Sequence, residues 1–268
     1  MVNTATHALI LIDSHCHLDC LPHGYSLEQI ISKAQLQGVQ RFLVPGLEPA
    51  QFSTLIQVQQ AFPVCDIAAG IHPHFIHSAL QKAESLDAVL LQLSEIVDTH
   101  KNKIVALGEM GIDGSIDLPL KTQETVLRQQ LRLAKAYQLP VILHHRQSHN
   151  DLIRILKSEG GAFTGVLHAF SGSLAIAESY LNIGLLLGVG ATITYPRAKK
   201  TRKSVAALDL SCILLETDTP DMPVNGFQGQ ANTPAQLTYV CDALSQLKEC
   251  SQEQIMAQTS TNYYRVFH

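Results

Sequence analysis

The residues that could do chemistry in this chain come in small groups, each set directly after a short apolar run. Histidine is over-supplied, with 13 against 19 Lys+Arg. Seven of them, His15, His17, His72, His74, His144, His145 and His168, occupy such positions. In His15-Cys16-His17 an extended backbone turns residues i and i+2 to one face, so both imidazoles can reach one metal while Cys16 points away. Glu109 stands between Gly108 and Gly111, and its two oxygens could bridge two cations. In His144-His145-Arg146, alternation sends His144 and Arg146 to one side and His145 to the other, without saying which side matters. His168 ends an apolar run before a Gly/Ser turn. Asp218 and Glu216 share a side of the last run, with Asp218 the more exposed and Glu216 suited to a supporting contact.

Singly, each histidine is as readily a hydrogen-bonded core residue. Six run ends that all deliver imidazole or carboxylate are better explained by one site. Four imidazoles, one bridging carboxylate and one further carboxylate suit a two-metal hydrolytic centre that activates water and steadies a leaving oxygen. Two divalent cations are expected. Imidazole-rich ligation favours Zn, Mn, Co or Ni over Mg, and the identity stays open among these five.

Such a site needs elements that bring its parts to one place. Eight apolar runs read as buried parallel strands: Ala8–Ile12, Arg41–Val44, Val64–Ala69, Ile104–Leu107, Val141–Leu143, Thr164–Leu167, Leu185–Val189 and Cys212–Leu215. Helical periodicity lies between most of them. Ser26 and Gln29 form a capping-box pattern before Leu27, Ile30, Ile31 and Ala34. Ser85 precedes a stripe from Leu86 to Val97, and Val126, Leu127, Leu131 and Ala134 make another. Eight β-then-α units over residues 1–268 predict an α/β fold, one (β/α)8 TIM barrel domain of the metal-dependent hydrolase type. An open doubly wound sheet would carry a Gly-rich phosphate loop after its first strand, and none follows here. Barrel enzymes build their sites at the C-terminal strand ends, where these groups fall.

Composition narrows the class. Of 268 residues 46% are hydrophobic, enough for a sizeable core, and the net charge of −4 argues against a protein that coats nucleic acid by bulk positive charge. The start, MVNTATHALILID, lacks a basic leader region, and the longest apolar stretch, Ile183–Ala191, is interrupted by three glycines. The six cysteines form no CxxC pair, which fits reduced thiols and a cytoplasmic protein. No membrane contact and no obligate protein partner are expected. Against the acidic background, Arg197, Lys199, Lys200, Arg202 and Lys203 put five basic residues within seven positions after the seventh run. Barrels often bind phosphate there, although a solvated helix start explains such a cluster equally well.

Six motifs in order, DSHCHLD (13–19), GIHP (70–73), GEMGID (108–113), LHHR (143–146), HAFSGS (168–173) and ETDTP (216–220), resemble the TatD family of metal-dependent hydrolases. That family lies within the wider amidohydrolase-like barrels. The stretch DMPVNGFQGQANTP (221–234) is most similar to its YjjV branch. The resemblance implies a binuclear site in which His15, His17 and Asp218 bind one metal, His144 and His168 the second, and Glu109 bridges. It places the strand-five ligand at His144 and a substrate contact at Arg146, leaves His145 between them, and sets His72 near the substrate. Family members are described as deoxyribonucleases, so DNA ends or a small phosphoester become the expected substrate. Asp218 and Glu109 would be the catalytic carboxylates, and Lys199 would represent the basic cluster in substrate binding. An amidohydrolase or lactonase on the same scaffold is the rival enzyme. A non-catalytic metal protein, or a Cys16 nucleophile that alternation turns away from both histidines, are further alternatives.

Overall fold

The structure is a computed structural model that describes residues 9–268. Ala8, the expected start of the first strand, and the rest of the leader reading up to that point lie outside the described residues. The elements are β1 (Leu11–Asp13), α1 (Leu27–Leu36), β2 (Val39–Val44), α2 (Phe52–Ala61), β3 (Cys65–Ala69), α3 (Ile76–Lys82) and α4 (Leu86–His100). They continue as β4 (Ile104–Asp113), α5 (Leu120–Tyr137), β5 (Val141–Arg146), α6 (His149–Ser158), β6 (Gly165–Leu167) and α7 (Leu174–Leu181). The last are β7 (Leu185–Val189), α8 (Lys199–Ala207), β8 (Ile213–Leu215), α9 (Leu237–Lys248) and α10 (Gln252–Phe267). All eight strands pair in parallel and in sequence order within one sheet.

The sheet closes on itself at a seam between β1 and β8. Ser14 N–H donates to Leu215 O at 2.9 Å, Asp218 N–H to His15 O at 2.9 Å, and His17 N–H to Thr219 O at 2.7 Å. Asp13 reinforces the seam: its carboxylate accepts Thr217 N–H at 2.9 Å and the Thr217 hydroxyl at 2.6 Å. Burial pushes the Asp13 carboxyl up to about 7, against the Thr217 hydrogen bonds that pull it down.

Period-two alternation divides the strands into two faces. Ile12, Leu43, Ala68, Ala106, Ile142, Val166 and Leu214 fill the barrel interior. Leu11, Phe42, Ile67, Leu107, Val141, Leu143, Leu167, Leu187 and Leu215 face the helices. The helices start where side chains can satisfy free N–H groups. Ser26 accepts from Gln29 N, half of the expected capping box, and Ser85 accepts from Ala88 N. The reciprocal box is complete at Ser251 and Gln254.

β4 departs from the sequence expectation, running on from Leu107 to Asp113. The register explains how a strand can carry Glu109 inward. Leu107 pairs with Val141 and Met110 with Leu143, so β4 advances three residues while β5 advances two. Leu107 and Met110 both pack on the helix side, leaving Gly108 and Glu109 together on the inner side of a bulge. Without that extra residue, alternation from Ala106 would turn Glu109 away from the interior. Gly111 then lets β4 lie hard against β5, since a Cβ there would sit 2.0 Å from His144 O.

The opposite, N-terminal end of the barrel is closed by α10, whose Tyr263, Val266 and Phe267 join the interior cluster. Beneath it Arg41 makes a two-pronged contact with Asp66 at 2.7 and 2.8 Å, and the Tyr263 hydroxyl donates to the same carboxylate at 2.6 Å. Among the described residues no helix is long and apolar enough to cross a membrane. Replacing Asp13 with Ala would leave the buried Thr217 N–H unpaired and the Thr217 hydroxyl with Thr219 Oγ1, 2.8 Å away, as its partner. Urea denaturation of Asp13→Ala is expected to show a loss of about 3 kcal/mol. Unchanged stability would mean that the backbone bonds alone hold the seam.

Candidate metal centre

Glu109 is the hub at the C-terminal mouth. Its residue is 1% exposed, yet five imidazoles surround its carboxylate. Oε2 lies 3.1 Å from His15 Nε2 and 3.4 Å from His17 Nε2. Oε1 lies 2.9 Å from His168 Nε2, 3.0 Å from His144 Nδ1 and 3.3 Å from His72 Nε2. The two oxygens therefore divide the rings into two groups. Within them, the His15 and His17 Nε2 atoms are 3.3 Å apart, and so are His144 Nδ1 and His168 Nε2. Asp218 joins the first group, with Oδ1 3.7 Å from both His15 and His17. It does so from a left-handed backbone (φ 63°), pinned by its N–H on His15 O.

Burial alone would push the Glu109 carboxyl up, but His168, His72 and His15 and the hydrogen bond from His144 hold it well below the usual carboxylate range. The rings respond in opposite ways. Burial drives His15 well below its ordinary value, reinforced by His168, and drives His72 down to about 4. His168 is raised to about 10 because Glu109 overcomes its burial, and His17 and His144 are raised against burial by their carboxylate neighbours. The carboxylates thus hold three of the five rings toward the charged form, while burial holds His15 and His72 neutral. Nitrogen and oxygen donors packed this closely, with the lone pairs of each group converging, fit divalent cations.

Neighbouring groups decide which ring nitrogen is a lone pair. His144 turns Nε2 to Asp113 Oδ2 at 3.4 Å, leaving Nδ1 for the cluster. His72 Nδ1 accepts the His74 backbone N–H at 3.1 Å, so its proton sits on Nε2 and points inward. His72 therefore enters the cluster as a hydrogen-bond donor rather than as a free lone pair. Asp113 also lies 2.7 Å from His74 Nε2 and accepts from Ser115 N and Oγ at 2.7 and 2.6 Å. These contacts hold its carboxyl far below the usual range against burial.

The structure brings His15, His17, Glu109, His144, His168 and Asp218 to one point and adds His72 to it. Arg146 follows His144 by parity and reaches the wall of a cavity of about 980 Å³ over the cluster. Asp113 and His74 carried no sequence-derived role. Strand alternation from Gly111 onward points to Asp113, but only if β4 is known to continue. His145 faces the helix side, its ring stacked 4.2 Å from His149. Among the described residues, Lys199 is not part of the cavity wall. Lys199 begins α8 in solvent, while Arg202 is turned back onto the Ile193 carbonyl and Arg197 lies over the Tyr195 ring.

Residues 12–268 match the family model described as TatD related DNase. The Escherichia coli (strain K12) protein named uncharacterized metal-dependent hydrolase YjjV is 40% identical over 258 residues, spanning 96% of this chain and 97% of that protein. The crystal structure of the E. coli K12 YjjV, a TatD homologue, superposes with a TM-score of 0.88 at 41% identity, over 96% of this chain and 97% of that one. A human protein named deoxyribonuclease TATDN3 is 28% identical over 265 residues, 96% of this chain and 94% of its own. This chain belongs to the TatD family of metal-dependent hydrolases.

Proposed function

We propose that this chain, acting as one barrel domain, is a phosphodiesterase that trims DNA ends or cleaves small phosphoesters with a binuclear metal centre. The observation that carries the reading is the division of imidazoles between the two oxygens of Glu109. His15, His17 and Asp218 would hold one cation, His144 and His168 the other, and Glu109 both. When bound, two divalent cations supply Lewis-acid polarisation of a phosphoryl oxygen and a lowered pKa for water.

The protein's own groups do the rest. Asp218 is fixed at the rim of the cluster, where it orients the attacking water and takes its proton. The water oxygen bonds to phosphorus, the bond to the leaving oxygen breaks, and the proton held by Asp218 passes to that oxygen. His72 offers Nε2–H to a phosphoryl oxygen, because its Nδ1 is occupied by the His74 N–H. Arg146 on the cavity wall neutralises phosphate charge. Phe75 and Met222 give the same cavity apolar surface against which a nucleobase can rest. Lys199 and Lys200 begin α8 outside the cavity, and Lys200 acts electrostatically on His149, which stacks on the helix-side ring of His145. They suit a chain that extends out of the site, and the name of the human relative supports DNA as that chain. The six free thiols support a cytoplasmic setting.

Removal of metals by a chelator should abolish hydrolysis of end-labelled oligonucleotides, with recovery on adding Mn, Zn, Co, Ni or Mg. Lactone or amide hydrolysis by the reloaded protein, with no action on phosphodiesters, would instead place it with the amidohydrolases. Asp218→Asn is expected to keep its fold and to lose about 100-fold or more in kcat. Near-normal turnover with full metal content would remove Asp218 from proton transfer. Combined Lys199→Ala and Lys200→Ala should raise KM for oligonucleotides at low salt and leave a mononucleotide ester untouched. An unchanged KM would exclude the α8 contact.

A further inference from the structure

Behind the metal-facing side of the cluster lies a second buried polar group. The His15 and His168 rings stack with centroids 3.9 Å apart and planes within 12°. Both turn Nε2 toward Glu109, and both keep Nδ1 buried without a hydrogen-bond partner from the protein. Glu216 is 1% exposed and lies on this rear side. Its Oε1 accepts the Ala169 N–H at 2.5 Å and lies 3.7 Å from His168 Nδ1. Its Oε2 is also buried and without a partner. One ring nitrogen from each histidine and one Glu216 oxygen fall within 4.8 Å of one another. The fold keeps this space open for the carboxylate: a Cβ on Gly188 would stand 2.0 Å from Glu216 Oε2 and 2.7 Å from its Cδ.

Three polar atoms buried together are costly unless they satisfy one another. A third cation there would require His15 and His168 to give up both ring protons, since each already turns Nε2 to the front. Hydrogen bonding has no such demand. We propose that Glu216 is a positioning residue for the metal centre. Its carboxylate takes the Nδ1–H of His168 and, through one ordered water, that of His15, so that both rings keep Nε2 free and aimed at the cations. The inference rests on the reading of His15 and His168 as ligands, one for each cation. A single carboxylate would then fix one ligand from each half of the centre, as Asp113 does separately for His144.

The test uses zinc-loaded protein and no substrate. Nitrogen-15 histidine spectra should show His15 and His168 protonated at Nδ1. In Glu216→Gln the Nδ1–H signals should shift, and zinc affinity by chelator competition should fall 10- to 100-fold with the thermal transition of the zinc-free protein preserved. If that variant does not fold, Gly188→Ala displaces the carboxylate without removing it and should weaken zinc in the same way. The parent spectrum decides in either case. An Nε2–H tautomer in either ring, a third zinc per chain by elemental analysis, or parental zinc affinity in folded Glu216→Gln would overturn the proposal. His15→Ala and His168→Ala that both retain full zinc would instead sink the ligand reading on which it stands.

Discussion

A carboxylate enclosed by imidazoles is the constraint around which this protein is built. Glu109 is almost wholly buried, and a lone buried charge costs several kcal/mol unless opposite charge and hydrogen bonds surround it. Here the compensation comes from five rings on four other strand ends, each within 3.4 Å. The arrangement works only if the barrel closes, because His15 and His17 come from the first strand and Asp218 from just beyond the last. The Asp13–Thr217 seam and the backbone bonds beside it therefore set the imidazole–carboxylate cluster as well as the fold. The bulge in β4 has the same double status, completing a strand pairing and turning Glu109 inward.

Identical side chains do different work according to what stands behind them. Asp113 takes the Nε2 side of His144 and leaves Nδ1 toward the cluster. A backbone N–H occupies Nδ1 of His72 and leaves a proton on Nε2. The first arrangement leaves a lone pair toward the cluster, the second a hydrogen-bond donor, although both rings lie against the same Glu109 oxygen. Tautomer control of this kind costs no new side chain at the front of the site.

The two ends of the barrel divide labour. At the mouth, charge is concentrated and a cavity opens over it. At the floor, Arg41, Asp66 and Tyr263 form a satisfied polar group under the apolar plug of α10. Packing there does not depend on groups that a reaction must leave partly exposed, in keeping with the separation of stability and catalysis in this architecture.

The amino-acid sequence by itself determined the eight β-then-α units, because hydrophobic periodicity is a local property written into each segment. It also placed His15, His17, Glu109, His144, His168 and Asp218 at strand ends, since the apolar runs stop just before them. Orientation was less accessible. Periodicity alone left His144 and His145 undecided, and only pairing with β4 and β6 sends Ile142 and His144 inward. The inward turn of Glu109 depends on a bulge, which is a mismatch between two strands and cannot be read from either one. Asp113 and Glu216 gain their places from rings contributed by other strands, and the basic residues near Lys199 are dispersed by the helix that carries them. Which residues could bind metal was therefore a matter of local pattern. Which nitrogen of each ring faces the centre was a matter of tertiary neighbours, because a hydrogen bond to one side of an imidazole decides what the other side can do.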